Sequence, residues 1–347
     1  MAGQTQLSER KAAILRALVR HYIHTGEPVG SEALATESGL SVSSATIRNE
    51  LAALEELGYL TQPHTSAGRA PTDLAYRYYV DLLPARTRLR DAERRAIVHF
   101  FDEALEDIDA ILRGTTLLLS NLTRYASLAL APSPRQEAIA RAELVSVGSG
   151  TLLLLVFESS RVEKRVMELP AGVAAADVER VSSEIAGSFR GETVAGARAV
   201  AEARSRIAPQ PDRGLFAKLA DALAAVEEAV DAEHVFMGGV TTIAAHESFQ
   251  ERETLRQIYE TLERESAMLR LLREAAVTPP VAVMIGRENP MPEMWEASVI
   301  AATYGAAGGA VGMIGIVGPT RMDYAAAMSA VRAVAERLSA AVEALRA

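Results

Sequence analysis

Between Ser43 and Leu60 the chain reads SSATIRNELAALEELGYL, and this stretch limits the fold more than any other. Ile47, Leu51, Leu54 and Leu57 recur at three- and four-residue intervals, which places them on one stripe of a helix. Ser43 stands where an N-cap hydroxyl belongs, and Gly58 where a helix stops. Two more helices are predicted upstream. Residues 7–25 form the first, with Ser8 as N-cap, Leu7, Ile14, Leu18 and Tyr22 as its apolar face, and Gly26 and Pro28 as the stop. Residues 31–38 form the second, opened by Ser31 and ended by Gly39, with Leu40 turning back behind it. After the third helix, 59–62 and 69–72 read as short extended pieces around a polar turn at 63–68. Three helices with a tight turn between the second and third, followed by a hairpin, is the pattern of a winged helix-turn-helix.

The third helix is where readout chemistry would sit. With Ile47 inward, the 100° step per residue turns Ala45, Arg48, Asn49 and Ala52 outward. Arginine pairs with guanine O6 and N7, and asparagine with adenine N6 and N7, while alanine lets the helix approach the groove or touch a thymine methyl. Ser43, Ser44 and Thr46 bring hydroxyls and free N–H groups to the helix start, a setting that favours a phosphate. His64, Thr65, Ser66 and Arg69 lie on or beside the hairpin turn, where a wing would touch the DNA backbone. The alternative is an ordinary solvated helix face and an ordinary turn.

Charge distribution bears on that choice. The 347 residues carry 36 Lys+Arg against 45 Asp+Glu, a net −9 that argues at first against nucleic acid. Residues 1–90, however, hold 10 basic and 9 acidic side chains, and the remainder 26 and 36. The negative charge therefore lies outside the first quarter, and a near-neutral module can still present local positive faces.

The rest of the chain predicts a second, mixed architecture. Residues 72–84 read as a helix closed by Pro84, and 85–95 as an Arg- and Asp-rich linker. Residues 97–125 carry a heptad-like run from Ile97 to Tyr125, consistent with a helix packed on its own domain or with a coiled coil. Extended patterns follow at 144–147, 151–157 and 162–169. Residues 176–275 read mostly helical; strands resume at 281–285, 298–304 and 310–317, and an amphipathic helix closes the chain. One antiparallel α+β domain interrupted by a helical insertion explains that order economically.

Several function classes are excluded or disfavoured. The chain contains no cysteine, which removes disulfides, thiol catalysis and cysteine metal sites. The glycine-rich run 305–312 lacks the lysine and Ser/Thr of a phosphate loop and reads as a turn between strands. The six histidines show no HExxH spacing, and no Gly-x-Ser-x-Gly elbow occurs. No catalytic, metal or cofactor site is therefore expected. No apolar run reaches the roughly 18 residues of a membrane span, and no secretory leader is legible, so a cytoplasmic protein is expected. Polar clusters at 285–289 and 320–324 admit two readings: a small-effector site, or structural work such as capping the last helix and pairing Arg287 or Arg321 with nearby acids.

GEPVGSEALA (26–35), SSATIRNELAALEELGYL (43–60), QPHTSAGRAPT (62–72), YRYYVD (76–81), VAVMIGRENP (281–290), SVIAATYG (298–305) and GMIGIVGPTRMDY (312–324) together resemble the heat-inducible transcription repressor family HrcA. The resemblance is dense in 7–81 and 281–324 and loose in 130–275. Ser44 stands where the family often has proline, and Ala75 where it often has glycine. The resemblance implies an α+β protein: an N-terminal winged helix-turn-helix, then a GAF-like antiparallel-sheet domain interrupted by a mainly helical dimerisation insert. The corresponding divisions are 1–84, a linker at 85–95, a GAF-like first part at 96–175, the insert at 176–275 and a GAF-like second part at 276–347. It also implies repression of chaperone operons through an inverted-repeat operator bound as a homodimer. Activity would be lost on heating and maintained by the GroEL chaperonin. A winged-helix repressor sensing a small effector is the alternative.

Overall fold

The computed structural model describes residues 7–37, 42–63, 68–84, 89–102, 108–131, 137–147, 150–158, 161–170, 172–229, 235–239, 252–262, 264–275, 281–305 and 312–346. The N-terminal module comprises α1 (Glu9–Thr25), α2 (Ser31–Glu37), α3 (Ser44–Glu56), β1 (Leu60–Thr61), β2 (Ala70–Pro71) and α4 (Asp73–Asp81). Its helix ends obey local chemistry. Ser8 Oγ accepts from the Lys11 N–H (3.4 Å), and Gly26 closes α1 at φ +73°, a left-handed cap that a Cβ disfavours. Ile14, Leu15, Leu18, Val19, Ile47, Leu51 and Leu54 are buried together. Leu57 leaves the expected stripe: it is the C-cap of α3, where the chain departs from the helix, and it is 40% exposed. β1 and β2 are antiparallel, and a third strand position, Val29 paired with Arg69 (2.8 and 2.9 Å), completes a small sheet. A Cβ on Gly68 would overlap the Val29 backbone, so this close approach needs glycine.

α5 (Asp91–Asp102) begins inside the expected linker and is followed by α6 (Ile108–Thr123). The heptad-like run is therefore two helices folded on each other. Gly114 of α6 lies against the Phe100 ring, whereas 14 residues of straight helix would separate them by about 21 Å. After α6 come β3 (Ala126–Leu130) and a meander of β4 (Ile139–Val147), β5 (Gly150–Phe157) and β6 (Val162–Met167). α7 (Ala175–Ser188), α8 (Val194–Ile207) and α9 (Asp212–Ala229) pack on one face of that meander. Leu153, Leu155, Phe157, Ile185, Phe189, Leu215 and Leu219 form the shared core.

The chain then returns through β7 (Val235–Gly238), α10 (Arg252–Leu262), α11 (Glu265–Ala275), β8 (Ala282–Ile285), β9 (Ala297–Tyr304), β10 (Gly312–Pro319) and α12 (Tyr324–Arg346). The larger sheet has the order β7-β3-β10-β9-β8, antiparallel throughout. Alternation along its strands feeds two cores. Ile300, Ile314 and Ile316 face Leu119, Val331 and Leu338 of α6 and α12. Val299, Val317 and Leu128 face Ile258, Leu262 and Leu272 of α10 and α11.

This pairing differs from the expected single domain. The strands at 144–169 do not join those at 281–317; they form their own sheet with α7–α9. The chain leaves the larger sheet after β3 and re-enters at its neighbour β7, so the smaller unit sits between two adjacent strands. The helices of 176–275 are accordingly divided, α7–α9 on the smaller sheet and α10–α11 on the larger. Period-2 patterning marks strands but not their partners, and β3, buried at all five positions, has no alternation to read.

Candidate nucleic-acid interface

α3 turns Ala45, Arg48 and Asn49 to solvent as expected, while Ala52 is half-buried. Ser43 Oγ accepts from the Thr46 N–H (3.2 Å) and pairs with Thr46 Oγ1 (3.0 Å), which fixes the helix start. Ser43, Ser44, Ala45, Arg48 and Asn49 are exposed, and Thr46 is half-buried. Among the described residues neither the Arg48 nor the Asn49 side chain makes a hydrogen bond or ion pair. Asn49 lies opposite Ile47, Leu51 and Leu54, which anchor the helix from beneath, and Arg48 lies on the flank of that buried stripe.

Two of the three α3 acids carry cationic partners, while Glu56, on the same side of the helix as Asn49, is exposed. Glu50 pairs with Lys11 (3.2 Å) and Arg10 (3.9 Å) of α1, and Glu55 pairs with Arg69 (2.7 Å). These contacts offset negative charge close to the exposed arginine, which favours approach of a polyanion. Arg69 is less available than its sequence position suggests. Its backbone pairs with Val29, and its Nε and Nη2 both donate to Glu55 (2.8 and 2.7 Å), tying the hairpin to the C-terminal end of α3. His64, Thr65 and Ser66, expected at the tip of the wing, lie outside the described residues.

The polar clusters at 285–289 and 320–324 are largely taken up by contacts within the chain, the buried Asn289 Oδ1 being left without a partner. Asp73, at the start of α4, accepts from the Arg287 N–H (2.9 Å). Arg77 donates through Nε and Nη2 to Glu288 (2.8 and 2.5 Å) and to the Val283 carbonyl (2.6 Å). Arg321 reaches the Ile23 carbonyl (3.3 Å) and fills the space beside Gly26, where a Cβ would stand 2.7 Å from its Nη1. The Tyr76 and Tyr324 rings pack at 5.8 Å with a tilt of 48°, and the Tyr324 hydroxyl donates to the Thr320 carbonyl (2.6 Å) and accepts from Ser298 (2.8 Å). Burial pushes both phenols far above their usual range, so both stay neutral. Asp323 does cap α12, accepting from the Ala326 N–H (3.1 Å), while Arg287 lies over the Trp295 ring rather than on an acid. Sequence reasoning missed Asp73 and Arg77. Their signal was weak, since an acid and a base on a short helix look like solvated residues.

Among the described residues no group of three His, Asp or Glu side chains is placed to hold a metal, and no helix is long and apolar enough to cross a membrane. β9 and β10 are antiparallel neighbours, so the glycine-rich run connects two strands rather than a strand and a helix; residues 306–311 of it lie outside the described residues.

The chain matches two family models. Residues 6–81 match the "Winged helix-turn-helix transcription repressor, HrcA DNA-binding" domain, and residues 109–328 the "HrcA protein C terminal domain". It is 40% identical to the heat-inducible transcription repressor HrcA of a Nocardioides species over 95% of this chain and 97% of that one. It is 34% identical to the repressor of the same name from Moorella thermoacetica, covering 98% and 99%. A crystal structure described as that of a hypothetical protein is similar in fold, with a TM-score of 0.66 at 24% identity, covering 98% of this chain and all of that one.

Proposed function

The chain belongs to the HrcA family of heat-inducible transcription repressors, which bind operator DNA through a winged helix and are not enzymes, and from that premise we propose how it reads and releases its operator. α3 enters the major groove. Arg48 and Asn49 contact base edges, Ala45 allows close approach, and Ser43, Ser44 and Thr46 meet phosphate at the helix start. The wing residues His64, Thr65 and Ser66 touch the backbone. Arg69 reaches a phosphate only by sharing or leaving Glu55, so it contributes least of the wing contacts. The observation that carries this reading is the exposed Ala45-Arg48-Asn49 face on a helix whose opposite side is buried. A salt-titrated binding assay on an inverted-repeat promoter element tests it: Arg48→Ala and Asn49→Ala reduce base discrimination, and equal operator affinity of variant and parent removes both residues from the interface.

Two chains bind together on the inverted repeat of a chaperone operon. The smaller sheet offers the pairing surface. Its inner face is covered by α7–α9, while Val145, Val147, Val162 and Val166 on the outer face are 41%, 59%, 45% and 81% exposed, and Leu152, Leu154 and Val156 lie between them half-buried. Arg141, Glu143 and Lys164 share this outer face, so its aliphatic part is the central β5 row with the flanking valines; a patch of this kind marks an interaction site. Heat separates the pair and uncovers the same face. The partly unfolded chain then self-associates, and the GroEL chaperonin restores it. Misfolded clients that occupy the chaperonin therefore lower repression.

A further inference from the structure

The winged helix is not hung on a linker. Its core residues run into those of the larger domain as one apolar cluster, from Ile14 and Ile47 through Tyr76 and Val80 to Ile285, Met322 and Tyr324. Around that seam lie directional ties on two sides. On one, α4 grips the turn after β8: Asp73 takes the Arg287 N–H, and Arg77 holds Glu288 by two donors and the Val283 carbonyl by a third contact. Glu288 is itself fixed, because its Oε2 also accepts from the Ile285 N–H (2.9 Å). Gly286, at φ +51°, gives the turn room for the Asp73 carboxylate, which a Cβ there would overlap. On the other side Arg321 meets the C-terminus of α1. Bidentate guanidinium–carboxylate pairs constrain angle as well as distance. That fork and the single Arg321 contact, far apart in sequence, together resist both hinge and twist.

We infer that these ties make Asp73, Arg77, Glu288 and Arg321 determinants of operator spacing, although none of them faces the reading surface of α3. The inference rests on the proposed binding of two chains to two half-sites. If each winged helix is fixed to its core domain, the distance and rotation between two α3 helices are set by the dimer, and only one half-site separation fits. Each inserted base pair shifts a half-site by about 3.4 Å and about 34–36°. A module held only by the chain after α4 would follow that shift, since the nine residues 82–90 reach up to about 30 Å. A clamped module cannot, and the advantage of engaging both half-sites, roughly 10²–10⁴-fold in linked binding, is lost.

The test uses the full chain and operators carrying zero, one or two extra base pairs between the half-sites. The parent is expected to lose about 100-fold or more in affinity with two inserted base pairs. Arg77→Ala combined with Arg321→Ala lowers that loss to less than about tenfold, with single half-site affinity unchanged. Arg77→Lys, which keeps the charge but loses the fork, falls between. The chain has no native cysteine, so spin labels at Glu56→Cys and Asp102→Cys report the distance between α3 and the core domain without DNA. A narrow distance distribution in the parent that broadens in the double variant supports the clamp. An equally narrow distribution in the variant, or undiminished spacing discrimination with half-site affinity intact, overturns it. A parent that binds the inverted repeat no tighter than one half-site overturns the two-half-site reading, and the spacing role with it, while the label distances still report on the clamp.

Discussion

Arg48 and Asn49 owe their position to three residues that never leave the interior. Ile47, Leu51 and Leu54 fix the rotation of α3, so the next residues around the helix are turned to solvent. Arg48→Ala and Asn49→Ala should each cost roughly 1–3 kcal/mol of operator discrimination and leave the melting temperature within about a degree, because neither side chain is packed. Ile47→Ala should instead cost about 2–5 kcal/mol of stability, read by chemical denaturation, with DNA binding lost only as the module unfolds. Arg69 separates two readings of the wing. If it contacts phosphate, Arg69→Ala lowers the salt slope of binding by about one; if it chiefly ties the hairpin to Glu55, the slope holds and wing residues lose protection from hydrogen exchange. The outward set was legible because helical period and an N-cap suffice to orient it. The Arg69–Glu55 pair was not, since it depends on how a hairpin folds back onto a helix 14 residues earlier.

The smaller sheet carries the consequence of a period-2 pattern that is apolar on both phases. β5 (TLLLLVF after Gly150) sends Leu153, Leu155 and Phe157 into its own core and Leu152, Leu154 and Val156 the other way. An outer face rich in aliphatic side chains suits the proposed pairing of two chains, and it is also an aggregation hazard when uncovered. Val166→Asp, at a position 81% exposed, should leave the fold intact while shifting sedimentation from dimer to monomer and weakening operator binding about 100-fold; an unchanged dimer would move pairing off this sheet. At this scale the sequence identified most strands and helices but not their grouping. β8, β9 and β10 stand out as short, mostly apolar runs bounded by turn residues. β3 and β7 are short and buried or half-buried, and only their pairing with β10 and each other shows that the meander and α7–α9 are inserted between neighbours.

Across the whole molecule, one apolar seam with its directional ties joins the reading module to the domain that receives the insert, and one exposed sheet face is proposed to join two copies. Heating should act on the second before the first, since an association held by a single apolar face depends on concentration while the seam is intramolecular. Light scattering and operator binding followed together on heating should therefore change at the same temperature. That temperature should rise with protein concentration at low concentrations, and chaperonin should restore binding afterwards. Loss of binding with no scattering and no chaperonin effect would instead favour release of a small effector. The central claim, that the exposed face of α3 reads an inverted repeat in the major groove, is tested most directly by one measurement. The affinity of parent, Arg48→Ala and Asn49→Ala proteins is titrated against salt on the operator and on the same DNA with each half-site base pair changed in turn. The account predicts that each variant becomes indifferent to particular base pairs, in matching positions of both half-sites, while its non-specific binding and its fold remain those of the parent. Variants that keep the parent's base preferences at every position would contradict it.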